Sequence, residues 1–212
     1  MNTTLHYILD PLCGWCYGAG AVVAEAAALP GVQVHLMPCG MFAGDGARPM
    51  DDAFAGYAWT NDQRIEQLTG QHFSETYRTQ VLANRAQRFD SGPASLALTA
   101  VALTAPQHEV AALKAIQHAR YVVGEDVTSI EHLASLLENL GLAQAAQQLR
   151  AGGDELEAAH AARTAQAQDW LQQAGARGVP TFILERDGAY QAVSSQLLFS
   201  NPQAWLAQLQ PV

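Results

Sequence analysis

A chain of 212 residues, about half of them apolar and only 15% charged, can bury a sizeable core as one domain or as one domain carrying an insertion. Its formal net charge of −9 leaves no basic stripe to meet phosphates, which argues against a nucleic-acid partner. No apolar run approaches the ~18 residues a membrane span needs, and Met1-Asn2-Thr3-Thr4-Leu5-His6 has neither a basic nor an apolar leader region, so a cytoplasmic location is expected.

In chain order, the β-like run Leu5-His6-Tyr7-Ile8-Leu9 feeds into Asp10-Pro11-Leu12-Cys13-Gly14-Trp15-Cys16-Tyr17-Gly18. An Ala/Val-rich segment of helical composition then runs to Leu29. Two cysteines separated by two residues at a strand-to-helix junction have the layout of a dithiol redox site. With a helix starting at about Gly14, Cys13 sits where unpaired N–H groups and the positive end of the helix dipole converge. That favours a thiolate, the nucleophile of disulfide exchange. A helix end is worth roughly 0.3–1 kcal/mol, up to ~2 when partly buried, so deeper activation needs direct hydrogen bonds from the Cys16 thiol and nearby N–H groups. Cys16, one turn further in, is expected to be the resolving thiol.

Two bland readings compete. Half of a zinc site would need four ligands for closure, yet Cys39 is the one further cysteine and none of the seven histidines has paired ligand spacing beside it. An accidental pair of buried cysteines is the other. Three cysteines in a reducing compartment suit a catalytic dithiol better than a structural bridge.

Gly31–Met37 alternates, is rich in β-branched residues and stops at Pro38, which predicts a second strand parallel to the first through the helix. The dithiol then lies at the carboxyl end of the first strand, where open α/β sheets bind ligands. Gly40–Pro49 is glycine-rich and reads as a loop. Cys39, just before it, reads as a small, partly buried residue, with a third redox thiol as the alternative. From Met50 to Asp169 helical patterns follow one another at Asp51–Thr69, Ser74–Asn84, Pro93–Thr104, Glu109–Val123, Ser129–Leu140 and Leu142–Arg150. Pro93–Leu103 is apolar nearly all round and is expected to be the buried central helix. Thr128/Ser129 read as an N-cap, and His72, His108, His118 and His132 as surface or cap residues. A long helix, Asp154–Ala174, shows a seam of Leu156, Ala159, Ala162, Gln166, Trp170 and Ala174, with Gly175 as its cap. Arg177–Leu184 reads as a strand entered through Pro180, Asp187-Gly188 as a tight hairpin turn into Tyr190–Val193, and Pro202–Leu209 as a last amphipathic helix.

Three features together resemble the DsbA-like branch of the thioredoxin superfamily over nearly the whole chain. They are Cys13-Gly14-Trp15-Cys16 after the first strand, the helical middle, and Gly178-Val179-Pro180-Thr181-Phe182 before the closing hairpin. The Asp-Pro-x-Cys-x-Trp-Cys form looks most like the predicted cytoplasmic disulfide isomerases of that branch. The resemblance implies an α/β thioredoxin fold with a large all-helical insertion, residues 1–49 and 154–212 forming the thioredoxin-like domain and 50–153 the insertion. It implies a thiol–disulfide oxidoreductase or isomerase working through a mixed disulfide, with Cys13 as nucleophile and Cys16 as resolving thiol. It further implies a cis Val179–Pro180 bond beside the dithiol, where Val179, Pro180 and Thr181 present a backbone edge to an extended substrate. Trp15 reads either as a substrate-facing apolar platform or as packing against the helical rim.

No metal or organic cofactor is required by this resemblance. The redox-active Cys13–Cys16 pair serves, with glutathione or protein and peptide thiols and disulfides as partners, and a homodimer stays open. The chain departs from its branch in three places. Gly-Trp stands between the cysteines instead of Pro-His, which puts a strongly oxidising potential in doubt. Tyr7 occupies the position where thioredoxin relatives often keep a buried acid. Asp10 reads by default as a turn residue before Pro11, with proton transfer as its alternative role. The rival function is a glutathione-dependent isomerase or transferase of small organic molecules, as in the kappa-class and chromene-carboxylate isomerase relatives. Those characteristically carry a serine where Cys13 stands.

Overall fold

The structure, a computed structural model, describes residues 3–210. Met1, Asn2, Pro211 and Val212, which enter the leader reading and the outer limits of the expected domain division, lie outside the described residues. The chain opens with β1 (Thr3–Leu9), crosses over through α1 (Gly14–Ala27) and returns as β2 (Val32–Pro38). It then passes through β3 (Arg48–Pro49), α2 (Asp52–Thr69), a π-helical turn over Tyr77–Leu82 and β4 (Arg88–Phe89). Next come α3 (Gly92–Thr104), α4 (Glu109–His118) running into a second π-helical turn over Ala119–Val123, α5 (Ile130–Asn139), α6 (Ala143–Ala151) and α7 (Asp154–Gln173). The chain closes with β5 (Thr181–Arg186), β6 (Ala189–Val193), α8 (Ser195–Ser200) and α9 (Pro202–Ala207).

The main sheet has the order β2-β1-β5-β6. β1 runs parallel to β2, from Thr3 opposite Val32 to Leu9 opposite Pro38, and antiparallel to β5. A central strand covered on both faces has no solvent side, so Leu5 through Leu9 are all buried and show no alternation. The hairpin from β5 to β6 turns at Asp187 (φ 49°) and Gly188 (φ 78°), the left-handed pair that a two-residue hairpin requires. α3 is the central helix of the middle segment. Small and branched side chains bury it on nearly every side, Ala94, Ala97, Leu98, Ala100 and Val101 among them, and it packs on α4, α5, α6 and α7. The α/β sheet with its helical middle is the arrangement expected from the sequence.

Several expectations need correction. β5 starts at Thr181, and Arg177–Pro180 is bent chain, because a proline lacks the N–H that a paired strand needs. The loop Gly40–Pro49 holds a 3-10 turn at Gly44–Gly46 and ends in β3, which pairs with β4 through only two residues and so leaves no periodic pattern. α8 is missing from the sequence reading because six residues are too few to show a period; Ser194 caps it by accepting from the Leu197 N–H at 3.3 Å. The last helix stops at Ala207 rather than Leu209. The segments read as the helices Ser74–Asn84 and Glu109–Val123 each close in a π-helical turn.

The seam of α7 is half the one read from sequence: Leu156 is buried and Ala159 and Trp170 are half-buried as expected, but Ala162, Gln166 and Ala174 are exposed, and buried Ala167 with half-buried His160 and Arg163 completes the inward face. That face is partly polar, so hydrophobicity could not phase it. Arg163 donates to the Leu36 carbonyl at 2.8 Å and to Thr99 Oγ1 at 3.2 Å and pairs with Glu109, which ties α7 to β2, α3 and α4.

α1 and α2 approach most closely at glycines one turn apart. A Cβ on Gly18 would stand 2.6 Å from Ile65 Cγ2. Gly18→Ala is therefore expected to destabilise the chain by about 1–3 kcal/mol through overpacking. Adding Ile65→Val should recover part of that loss, so a urea-denaturation double-mutant cycle shows coupling. Strictly additive effects would refute the close packing.

Candidate active site

β1 ends at Leu9, and Asp10-Pro11-Leu12 turns the chain into α1. The Cys13 N–H donates to the Asp10 carbonyl at 3.0 Å and the Leu12 N–H to Asp10 Oδ1 at 2.9 Å. Cys13 is the N-cap, with extended backbone (φ −82°, ψ 119°). Its side chain makes no capping hydrogen bond, and the first turn contains no acidic residue. The free N–H groups and dipole of α1 therefore act on the Cys13 sulfur. Cys13 retains 9% of its surface at the rim, while Cys16 retains none. Both are thiols.

The Cys13 thiol donates to the Val179 carbonyl at 3.8 Å across 166 residues of sequence. The Val179–Pro180 bond is cis. Thr181, opposite Ile8 in the sheet, turns its hydroxyl to the Gly178 carbonyl at 2.8 Å and so closes this loop rather than pointing at the sulfur. Half-buried Trp15 packs edge-on against Phe199 with ring centroids 5.1 Å apart. Phe199 belongs to α8, the helix the sequence did not reveal, so this contact of Trp15 is with a closing helix and not with the rim of the helical middle segment.

Below the dithiol, Tyr7 donates to the Cys16 carbonyl at 3.0 Å and stacks on Phe182 at 4.8 Å. Burial pushes its hydroxyl far above the ordinary range, and the charge of a Cys16 thiolate adds to that. Tyr7 is a brace where relatives keep an acid. Asp10 is fully buried and accepts three hydrogen bonds, from Leu12 N–H, from Phe42 N–H at 3.0 Å and from Ser91 Oγ at 2.7 Å. The turn reading of Asp10 is thus correct but incomplete. Burial raises its carboxyl, while the Ser91, Leu12 and Phe42 hydrogen bonds and the Arg120 charge pull it back. Burial raises the Cys16 thiol well above its usual range, and Cys13 adds to this. Cys39, buried just after β2, is pushed up to about 12, by burial first and the Asp10 charge second.

The helical segment supplies a further group that sequence reasoning missed. Tyr121 donates to the Leu12 carbonyl at 2.8 Å, immediately before Cys13. Tyr77 donates to Asp62 Oδ2 at 2.9 Å. The buried guanidinium of Arg120 lies 5.3–5.6 Å from the rings of Tyr77, Phe89 and Tyr121. Asp62, 5% exposed, presses on the first turn of α1, where a Cβ on Gly14 would collide with its Oδ1. Nothing around Asn61-Asp62-Gln63-Arg64 marks a buried acid; the one clue was a glycine between the two cysteines. Among the described residues, no group of three or more His, Cys, Asp or Glu side chains is placed to hold a metal ion.

Burial raises the Asp62 carboxyl to about 7, against the opposing effects of the Tyr77 hydrogen bond and the Arg120 charge. A raised acid favours the folded state while protonated. Its contribution is complete below the unfolded value near 3.8 and is lost as pH rises through about 7. At about 1.4 kcal/mol per pH unit, the loss is on the order of 4 kcal/mol. Asp62→Asn should remove this component, gaining on wild type between pH 4 and pH 8 in urea denaturation. An unchanged difference across that range would show that Asp62 is not buried as described.

No curated protein matches the chain in sequence. The family model of the DSBA-like thioredoxin domain matches residues 4–201. Among solved structures, the cytosolic disulfide reductase DsbM from Pseudomonas aeruginosa is 35% identical, with a TM-score of 0.87 over 97% of this chain and 96% of that one. The same reductase with GSH gives 0.84 at the same identity and coverage. A candidate protein disulfide isomerase from Nitrosomonas europaea is 25% identical, with a TM-score of 0.80 over 99% and 96% of the two chains. A 2-hydroxychromene-2-carboxylate isomerase, at 15% identity and a TM-score of 0.56, shares the fold alone. With the family model spanning nearly the whole described chain, the protein belongs to the DSBA-like thioredoxin domain family and is a thiol–disulfide oxidoreductase.

Proposed function

We propose that the protein is a cytoplasmic dithiol reductase of disulfides, re-reduced by glutathione. The observation that carries this reading is the pairing of a rim thiol with a fully buried one at the start of α1, the rim thiol touching the Val179 backbone. The Cys13 thiolate attacks one sulfur of the substrate disulfide, forming a Cys13–substrate disulfide and expelling the other sulfur as a thiolate. Cys16 then loses its proton and attacks the Cys13 sulfur, leaving a Cys13–Cys16 disulfide and a second substrate thiolate. Two glutathione molecules return the dithiol to the reduced state and leave as one glutathione disulfide. No metal or organic cofactor enters.

The Val179 carbonyl, Pro180 and Thr181 offer an extended substrate a backbone edge beside the sulfur. Trp15 with Phe199 forms an apolar wall next to it. Two of the similar structures are of a cytosolic disulfide reductase, one of them with GSH, which supports both the direction of electron flow and the electron source. In this scheme Asp10 receives the Cys16 proton. Cys16 has no solvent access, and the charge of Asp10 already bears on its thiol.

Reduced wild type is expected to lose two mass units as it reduces a disulfide-bonded peptide in a single turnover. Cys16→Ser should trap a covalent peptide adduct on Cys13, both read by intact-mass spectrometry. If neither form reacts, the reductase mechanism is wrong, and a protein that shuffles a scrambled substrate without net reduction is an isomerase instead.

Asp10→Asn separates the two steps. The first attack should keep its rate, while release of the mixed disulfide in quenched-flow samples slows by about a hundredfold, the lower end of the range for a lost general base. Equal slowing of both steps would remove Asp10 from the proton path.

A further inference from the structure

The first turn of α1 meets carboxylates from two sides. Asp10 lies on the β1 side, each of its oxygens occupied by donors from Leu12, Phe42 and Ser91. Asp62 comes from α2 on the opposite side, and among the described residues Tyr77 supplies its one hydrogen bond, to Oδ2. Its Oδ1 occupies the volume that a Cβ on Gly14 would take. In a helix the Cα–Cβ direction leans toward the N-terminus. The oxygen therefore sits on the Cys13 side of Gly14, against a helix start that neither a capping side chain nor a first-turn acid neutralises. Tyr121, which feels the charges of both Asp62 and Cys13, lies close to both groups.

A dithiol whose reduced form is stabilised as a thiolate is a strong oxidant. The positive end of α1 acts in that direction, and a carboxylate beside it acts in the other. We propose that Asp62, delivered by the helical segment, sets the reducing poise of the dithiol, its carboxylate offsetting the helix end that would otherwise stabilise the Cys13 thiolate. The proposal rests on the dithiol exchange described above. The balanced reaction is Cys13 and Cys16 thiols plus glutathione disulfide giving the Cys13–Cys16 disulfide and two glutathiones, with two electrons and two protons passing to glutathione.

Other titratable groups nearby do not mimic this effect. Burial pushes Cys39 up to about 12 and holds Tyr7, Tyr77 and Tyr121 well above the ordinary tyrosine range, so all four keep their protons through the neutral range. Asp10 is common to every variant compared, so differences between variants isolate Asp62.

The test equilibrates wild type, Asp62→Asn and Tyr77→Phe with glutathione mixtures from about pH 5.5 to about pH 8.5. Acid quench, alkylation and mass spectrometry give the constant K for oxidation by glutathione disulfide. At the alkaline end K of Asp62→Asn should be about tenfold below wild type, the scale of a partly buried charge at a helix end. Near pH 5.5, where Asp62 carries its proton, the two should converge. Tyr77→Phe removes the hydrogen bond that favours the carboxylate, so the pH at which K changes should move upward.

A folded Asp62→Asn with K within twofold of wild type at pH 8.5, or above it, overturns the proposal. Should that variant fail to fold by circular dichroism, an unmoved pH profile in Tyr77→Phe overturns it and an upward shift supports it. A wild type that never equilibrates with glutathione disulfide removes the exchange reading itself, and the proposal with it.

Discussion

The first turn of α1 is held from three directions at once, and the rest of the site depends on that clamp. β1 fixes it from below through the Asp10 turn and through Tyr7, which donates to the Cys16 carbonyl. α2 presses on it at Gly14 and Gly18. The second π-helical turn ties Tyr121 to the Leu12 carbonyl. Four aromatic rings, Tyr17, Phe73, Tyr77 and Tyr121, pack behind these contacts with centroids 4.6–6.2 Å apart. A helix end held in this way keeps the backbone of Cys13 in one place at the start of α1, and that geometry costs no further ordering when substrate arrives.

The same clamp divides the two cysteines by environment. A single turn of helix carries the chain from the rim, where Cys13 meets the Val179 backbone, to an interior where Cys16 has no exposure. Burial disfavours the thiolate at Cys16, which in the proposed exchange leaves the first attack to the outer sulfur. The order of the two proposed steps then follows from solvent access. In the proposed exchange a proton leaving Cys16 cannot pass directly to water, which is why Asp10 is proposed to receive it: the position where thioredoxin relatives often keep an acid holds Tyr7, whereas the charge of Asp10, three residues further along the chain, bears on the Cys16 thiol.

The elements that announce themselves within a short stretch of chain were legible in the sequence. The βαβ opening, the central helix at Pro93–Leu103 and the Asp187-Gly188 hairpin each carry their own local signal. The dithiol was legible because two cysteines at that spacing have few other uses. What escaped was set by contacts between distant segments. Asp62 looks like any polar residue of α2 until the Cα of Gly14 is found beneath it. The inward face of α7 carries Arg163 and His160, half-buried because Leu36, Thr99 and Glu109 receive them, and a hydrophobic period cannot register such a face. α8 is too short to show a period, yet it brings Phe199 to Trp15.

The residues between the cysteines look different once these contacts are drawn together. Gly-Trp could be taken as lacking the histidine that helps stabilise a thiolate in the strongly oxidising relative. The structure shows that glycine also admits something. Any Cβ at position 14 would strike Asp62 Oδ1 and come within 3.1 Å of Ile65 Cδ1, so a larger residue there must displace the carboxylate. Trp15, the next residue, points away from that contact to Phe199. One residue of the dipeptide thus admits a carboxylate from the helical segment, and the other packs on α8 beside the dithiol. A dipeptide of this kind tunes a dithiol through the volume it leaves empty as much as through the groups it contributes.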